Sequence, residues 1–169
     1  MNNKNESTLA ARLRNERAFS LLMTADAAAQ LVKDGMTIGV SGFTPSGYPK
    51  AVPLALAERA KKGDKFKVDL YTGASVGPEI DSAWTEAGII RRRFPYQTNA
   101  SLRKDINGGK VAYADMHLSQ CAQLISSGAL KPVDIAIVEA LCRSAEADGC
   151  KSPKAPDSRS TELNSSINL

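Results

Sequence analysis

The alternation of short apolar runs with helical patterns constrains the fold of this chain more than any single motif does. The apolar runs, which predict strands, lie at residues 36–40, 65–72, 89–94, 111–114 and 133–138. The helical patterns lie between them, at residues 50–62, 78–87, 102–106 and 118–126. Strands that alternate with helices pair mostly in parallel, through right-handed crossovers. We therefore predict an α/β fold, a mostly parallel sheet flanked by helices.

Individual strands and caps can also be predicted. Residues 65–72 alternate apolar and charged side chains, which favours a strand with one solvent-exposed face or a strand near the sheet edge. Residues 133–138 form the clearest buried strand, and Glu139 stands at its end. Thr24 precedes an alanine-rich helical pattern, so we expect it to cap a short helix before the first strand.

Two loops rich in glycine and hydroxyl side chains follow predicted strands. The first loop (residues 41–50) contains two glycines, and Pro49 suits the first position of the next helix. Glycine lets a backbone approach a ligand closely, and a helix N-terminus attracts carboxylate or phosphate. The second loop (residues 72–79) has a similar composition. Ligands of open parallel sheets bind at this edge, although an ordinary strand-to-helix turn remains an equal alternative for the first loop.

Composition bounds the possible partners. With 169 residues, 43% of them hydrophobic, the chain can bury the core of one domain. The net charge is +4, but acidic residues sit among most of the basic ones, which favours a solvated surface over a nucleic-acid site. No apolar run approaches the length of a membrane span. We therefore expect no nucleic-acid partner and no membrane partner. The three cysteines form no close pair in the sequence, which favours a cytoplasmic protein.

No complete catalytic motif is present, and the spacing of Gly42 and Gly47 does not match a dinucleotide-binding fingerprint. His117 could act as an acid, a base or a ligand, but we favour a structural role or a cap of the following helix. Glu139 could be a carboxylate nucleophile, although pairing with an arginine or capping a turn is the favoured interpretation. Arg103 could bind an anion or be an exposed helix charge.

Taken together, the loop sequences resemble those of the acetyl-CoA hydrolase/transferase family. The first loop, Ser-Gly-Phe-Thr-Pro-Ser-Gly-Tyr-Pro-Lys, looks like the family signature. Residues 70–75 (Leu-Tyr-Thr-Gly-Ala-Ser) and 95–103 (Pro-Tyr-Gln-Thr-Asn-Ala-Ser-Leu-Arg) are similar to later family segments. Residues 115–120 (Asp-Met-His-Leu-Ser-Gln) and 133–140 (Val-Asp-Ile-Ala-Ile-Val-Glu-Ala) follow in the family's order.

The resemblance implies a domain like those of the NagB/RpiA/CoA-transferase group. It implies an enzyme that moves CoA from an acyl-CoA to a small carboxylate such as acetate, succinate or propionate. In the family a glutamate attacks the thioester, and a glutamyl-CoA thioester forms on the way; hydrolysis results when water intercepts an intermediate. The resemblance implies no metal and no organic cofactor, with coenzyme A serving as substrate. A homo-oligomer is possible.

The resemblance also suggests which residues line the carboxylate side of the active site. These expected substrate-binding residues are Gly42, Phe43, Thr44, Gly47, Tyr48, Thr72, Gly73, Ala74, Ser75, Ser101 and Arg103. Each would orient the small carboxylate or pack around it. None would carry out the chemistry, so we expect no catalytic residue and no metal ligand in this chain.

The sequence departs from the family pattern in its extent. Family members are much longer and carry the catalytic glutamate in a second α/β domain, so Glu139 is not that glutamate. We expect residues 1–21 to be an extension or helix, 22–142 the CoA-transferase N-terminal domain, and 143–169 a polar, disordered tail. The expectation is a truncated or split enzyme, inactive without a separately encoded C-terminal half. The alternative is a non-catalytic domain of the same fold that binds a small anion or a sugar phosphate.

Overall fold

A computed structural model describes residues 21–43, 46–139 and 165–168 of the chain. The helices in these ranges are α1 (Ala25–Ala29), α2 (Ala51–Lys61), α3 (Asp81–Glu86), α4 (Ala100–Asn107) and α5 (Leu118–Ser126). The strands are β1 (Thr37–Val40), β2 (Val68–Thr72), β3 (Ile90–Phe94), β4 (Ala112–Tyr113), β5 (Ile135–Glu139) and β6 (Ser165–Asn168).

The strands form one sheet in the order β4-β3-β2-β1-β5-β6. Strands β1 to β5 run parallel to their neighbours, and β6 pairs antiparallel with β5. Val40, the last residue of β1, lies opposite Thr72 on one side and Ile137 on the other. The segments that follow β1, β2 and β5 therefore leave the sheet side by side at one edge. This topology confirms the predicted α/β fold.

The direction of each crossover distributes the helices over the two faces of the sheet. The chain moves from β1 outward through β2 and β3 to β4, so right-handed crossovers put α2, α3 and α4 on the same face. The connection from β4 back to β5 runs the other way and puts α5 on the opposite face. The core under the first group of helices includes the buried side chains of Ile38, Leu56, Leu70, Trp84 and Leu102.

Two local predictions were wrong. The predicted solvent-exposed face of the second strand does not exist, because β2 lies between β1 and β3 and all five of its residues are buried. Its charged residue, Asp69, is neutralised by Arg91, whose Nε and Nη2 lie 2.8 and 2.7 Å from the carboxylate. Pro49 is not the first helical residue either, because α2 begins at Ala51 with Lys50 as its N-cap.

Two caps were predicted correctly. The Thr24 hydroxyl accepts a hydrogen bond from the Ala27 N–H at 3.1 Å and begins α1. His117 is the N-cap of α5, and its Nδ1 accepts from the Ser119 N–H at 3.4 Å. This cap is the structural role that sequence reasoning favoured for the histidine.

Several sequence predictions lie outside the described residues. These include residues 1–20 of the predicted extension and Thr44 in the first loop. Within the predicted tail the structure describes Ser165–Asn168, which form β6 rather than irregular chain. The predicted domain boundaries stay a prediction. None of the helices in the described ranges combines the length and apolar character that crossing a bilayer requires.

Candidate functional site

The first and second loops touch each other at the edge of the sheet where β1 and β2 end. A Cβ atom placed on Gly73 would lie 3.9 Å from the backbone oxygen of Gly42, so the two loops run side by side. In the first loop the backbones of Phe43 and Ser46 are joined by two hydrogen bonds of 3.0 and 3.2 Å, which fold the loop into a tight turn. The Phe43 side chain at this turn is 69% exposed.

Tyr48 fills the space between the two loops and is only 4% exposed. A Cβ atom on Gly42 would come within 2.7 Å of the Tyr48 Cβ, and one on Gly77 would come within 2.1 Å of the Tyr48 ring. Contacts this short cannot be accommodated without displacing the tyrosine. Gly42 also has a φ of 145°, a conformation that favours glycine. Glycine at both positions therefore makes room for Tyr48.

The Tyr48 hydroxyl connects the first loop to the second. It donates a hydrogen bond to Glu79 Oε2 at 2.5 Å, and an ionised acceptor makes such a bond strong. Burial raises the pKa of the Tyr48 phenol above its ordinary value, and the hydrogen bond and negative charge of Glu79 raise it further. Tyr48 is therefore held in its neutral, donating form.

Lys50 connects the first loop to the end of β5. Its Nζ donates to the Tyr48 carbonyl at 3.0 Å and to Glu139 Oε1 at 3.2 Å. The same ammonium lies 4.4 Å from the centre of the Tyr48 ring, within cation–π range. Glu139 thus pairs with a basic residue, as the favoured interpretation held, but the partner is a lysine rather than an arginine.

Ser41 makes a second connection between the first loop and β5. Its N–H donates to the Ile137 carbonyl at 3.1 Å, and its Oγ accepts from the Glu139 N–H at 3.3 Å. The Ser41 hydroxyl also donates to the Gly47 carbonyl at 3.4 Å, across the first loop. These contacts bring the ends of β1 and β5 together as one surface.

A buried ion pair lies where the second loop joins α3. The Thr72 hydroxyl donates to the Ala74 carbonyl, and Ala74 and Ser75 are buried. Asp81, the first residue of α3, lies 3.1 Å from Arg93 Nε, and both side chains are fully buried. Burial raises the pKa of the Asp81 carboxyl, while the charge of Arg93 opposes the rise. The loop therefore enters α3 at a fixed point of the core.

Ser101 and Arg103 lie apart from this surface, on helix α4 after β3. Both are exposed, and the Arg103 Nη2 donates to the Thr98 carbonyl at 3.2 Å, within its own loop region. Asn99 caps α4 by accepting from the Leu102 N–H at 3.0 Å, and its Nδ2 lies 2.7 Å from the Ser82 Oγ in α3. Among the described residues, neither of these two predicted site residues makes a hydrogen bond or an ion pair to the first loop.

The structure thus brings together eight of the residues expected to bind substrate, at the ends of two neighbouring strands. They are Gly42, Phe43, Gly47, Tyr48, Thr72, Gly73, Ala74 and Ser75. Their contact with a ligand stays a prediction. Sequence reasoning did not include Ser41 or Glu79 in the site; the one available signal for Glu79 was an acidic residue just after a glycine-rich loop. No cluster of three or more metal-ligating side chains exists among the described residues.

Comparisons with known proteins add the family context. A family model described as the acetyl-CoA hydrolase/transferase N-terminal domain matches residues 7–150. The chain is 51% identical to the succinyl-CoA:acetate CoA-transferase of Clostridium kluyveri over 138 residues, covering 81% of the chain and 26% of that protein. It is 40% identical to the propanoyl-CoA:succinate CoA transferase of Escherichia coli K12 over 122 residues, covering 70% and 25%.

The fold is also shared with solved structures. The apoenzyme of an acyl-CoA transferase from Escherichia coli O157:H7 matches with a TM-score of 0.57 and 14% identity, over 64% of the chain and 22% of that protein. At this identity the likeness supports the fold alone. The chain spans about a quarter of the length of the curated relatives it matches.

Proposed function

Because the chain belongs to the acetyl-CoA hydrolase/transferase family, we propose that its first two loops form the carboxylate-side wall of a CoA-transferase or acetyl-CoA hydrolase active site. The observation that carries this proposal is the packing of the first loop against the second at the carboxyl ends of adjacent parallel strands. That edge is where open α/β sheets bind their ligands. The name carboxylate wall is used below for residues 41–50 and 72–79.

The proposed reaction moves CoA from an acyl-CoA to acetate, succinate or propionate. A glutamate carboxylate attacks the thioester carbonyl and releases the CoA thiolate, which leaves a mixed anhydride. The thiolate then attacks the glutamyl carbonyl and releases the first carboxylate, which leaves a glutamyl-CoA thioester. The acceptor carboxylate then reverses these two steps, so each pair of steps breaks one C–S bond and one C–O bond and forms one bond of each type. This route requires neither a metal nor an organic cofactor.

The carboxylate wall would orient the acceptor rather than react with it. The Glu139 carboxylate accepts from Lys50, and the Glu139 N–H donates to the Ser41 hydroxyl. Both groups therefore connect the end of β5 to the first loop. We therefore propose that the nucleophilic glutamate comes from residues outside this sequence, as the much greater length of the relatives supports. The 169-residue chain alone would then have no significant transferase activity.

Selection among small carboxylates would depend on the size of the wall. Acetate and propionate differ by one methylene group, which a protein pocket distinguishes by about 1–3 kcal/mol. Thr72, Ala74 and Ser75 are buried at the second loop, where added volume would have to displace neighbours. Gly73 is exposed, and a Cβ there has one neighbour within 4 Å in the described part of the chain, the Gly42 oxygen at 3.9 Å. A larger side chain at this position would extend out from the wall.

The test is a fusion of this chain to the remaining three quarters or so of the Clostridium kluyveri transferase, whose N-terminal part it resembles. Acetyl-CoA formation from succinyl-CoA and acetate is measured for the fusion, for the chain alone and for the remaining part alone. We expect turnover from the fusion and none from either piece. Turnover by the chain alone would show that it contains its own nucleophile, and an inactive but folded fusion would contradict the proposed function.

A point variant connects the activity to the wall. Gly73→Val in the fusion should reduce kcat/KM for acetate at least about tenfold, because the valine occupies the space proposed for the carboxylate. Ala112→Val is the matched control, since Ala112 is exposed on the short edge strand β4 and tolerates a β-branched residue. Equal effects of the two valines would argue against a wall at Gly73.

A further inference from the structure

Tyr48 is in contact with both of the loops that form the carboxylate wall and, through Lys50, with the end of β5. We propose that Tyr48 is a positioning residue that fixes the spacing of the segments following β1, β2 and β5. This inference rests on the proposed function, because it explains how the wall keeps its shape. It assigns to Tyr48 a role that acts through Glu79 and Lys50 rather than through contact with substrate.

The first argument is steric. The Tyr48 ring lies directly over Gly77, where a Cβ atom would come within 2.1 to 2.6 Å of two ring carbons and the hydroxyl oxygen. A single large side chain of the first loop therefore sets how near the second loop can come. Because the ring is rigid and the facing backbone has no side chain, the distance between the loops has little freedom.

The second argument is electrostatic. A series of polar contacts crosses the three strand ends, in the order Glu79, Tyr48, Lys50 and Glu139. The Tyr48 phenol donates to the Glu79 carboxylate, and the Lys50 ammonium donates to the Tyr48 backbone carbonyl and to the Glu139 carboxylate. Lys50 and Glu139, the last two members of this series, have side chains that are 45% and 36% exposed, so water weakens their ion pair. The buried phenol makes the short hydrogen bond of the series, to Glu79 at 2.5 Å. Tyr48 therefore makes the strongest contact of the series.

The third argument separates positioning from substrate contact. Tyr48 is 4% exposed, and its hydroxyl is already bonded to Glu79. A substrate carboxylate at the wall would meet exposed neighbours such as Gly73 before it reached the phenol. Loss of the hydroxyl should therefore loosen the wall without deleting a direct ligand contact.

Amide hydrogen exchange on the full chain tests the proposal. Tyr48→Phe keeps the ring and removes the hydrogen bond to a charged acceptor, so exchange in peptides covering residues 41–50 and 72–79 should accelerate about tenfold. Peptides covering α4 and α5 should change less than about twofold. Tyr113→Phe is the matched control: Tyr113 lies on the edge strand β4, and burial raises its phenol pKa as well. It should leave both loops unchanged.

A double-variant cycle tests the steric part. Gly77→Ala should accelerate exchange in both loops, because its methyl group collides with the ring, but it should have little effect in a Tyr48→Ala background. Additive effects of the two changes would overturn the steric argument. Unchanged loop exchange in Tyr48→Phe, or equal acceleration throughout the chain, would overturn the positioning role.

The fusion protein supplies a readout that a purely structural role would not change. Tyr48→Phe should raise KM for acetate by a larger factor than it lowers kcat, because a loosened wall binds the acceptor less well while the nucleophile is unaffected. A loss confined to kcat would contradict positioning. If the wild-type fusion has no turnover, the proposed function fails, and hydrogen exchange on the chain still decides the role of Tyr48.

Discussion

Replacing Arg93 with methionine is the most informative perturbation of the core beneath the second loop. Arg93 and Asp81 are both fully buried, with Nε–Oδ1 and Nη2–Oδ2 distances of 3.1 and 3.4 Å. The guanidinium also donates to the Phe94 carbonyl at 2.8 Å. Arg93→Met keeps an unbranched apolar stem but leaves the Asp81 carboxylate buried without its charged partner. An uncompensated buried charge is strongly destabilising.

The loss in free energy of unfolding can be worked out if the variant avoids the unpaired charge by protonating Asp81 in the folded state. The ordinary pKa of this carboxyl is 3.8, and each pH unit above it costs about 1.4 kcal/mol to hold the proton. The loss of stability should therefore be about 4 kcal/mol at pH 7 and about 2 kcal/mol at pH 5. The sign follows from linkage. When the pKa of a carboxyl is higher in the folded state than in the unfolded state, the protein loses stability as the pH rises from the unfolded-state pKa toward the folded-state pKa.

Urea unfolding at the two pH values measures this directly. Trp84, the single tryptophan, is fully buried in α3 three residues from Asp81, and its fluorescence reports unfolding. Arg92→Met is the matched control, because Arg92 is the exposed neighbour on the same strand and should change stability by less than about 0.5 kcal/mol. Adding Asp81→Asn to Arg93→Met should remove the pH dependence.

Either of two results would refute the reasoning. A cost below about 1 kcal/mol at pH 7 would mean that the buried pair contributes no more than an exposed one. A cost that is the same at pH 5 and pH 7 would mean that Asp81 does not take up a proton when Arg93 is removed.

Three further predictions concern single features. The pKa of Tyr48 is raised above its ordinary 10.0, so its contribution to stability is complete below pH 10 and is lost as the pH rises further; between pH 9 and pH 11 wild type should lose more urea stability than Tyr48→Phe. Asn99→Ala removes the cap of α4 and should cost about 1 kcal/mol in the same assay, whereas Asn107→Ala at the other end should not. The exposed side chains of Phe43, Tyr96 and Leu118, which follow β1, β3 and β4, should make the chain self-associate; a monodisperse monomer in light scattering would contradict this.

The order of the elements could be predicted because each one carries its own local signal. Helix α5 has the predicted bounds of 118–126, since its apolar residues recur at helical spacing and Gly128 follows it. The buried position of β2 could not be predicted. Alternating charge suggests an exposed face, but burial depends on which strands lie on either side, and that depends on contacts between distant segments.

The three consecutive arginines of β3 show the same limit at the level of side chains. Arg91 is bound to Asp69 on the neighbouring strand, Arg92 is exposed, and Arg93 is fully buried against Asp81 on α3. Nothing in the run of identical residues distinguishes these three environments. The difference comes from the pleat of the strand and from acidic partners that the fold brings near.

The glycines of the first two loops show why the position of the candidate site could be predicted from the sequence, whereas the packing within it could not. Glycine indicated a close approach of some group to the backbone, and a ligand was the expected group. At Gly42 and Gly77 the approaching group is Tyr48 of the chain itself. Among the residues that the structure describes, nothing lies within 4 Å of a Cβ added at Gly47, and one backbone oxygen lies 3.9 Å from a Cβ added at Gly73. The open backbone of the wall therefore lies at Gly47 and Gly73, so substitutions there test ligand approach, whereas substitutions at Gly42 and Gly77 test the packing of Tyr48.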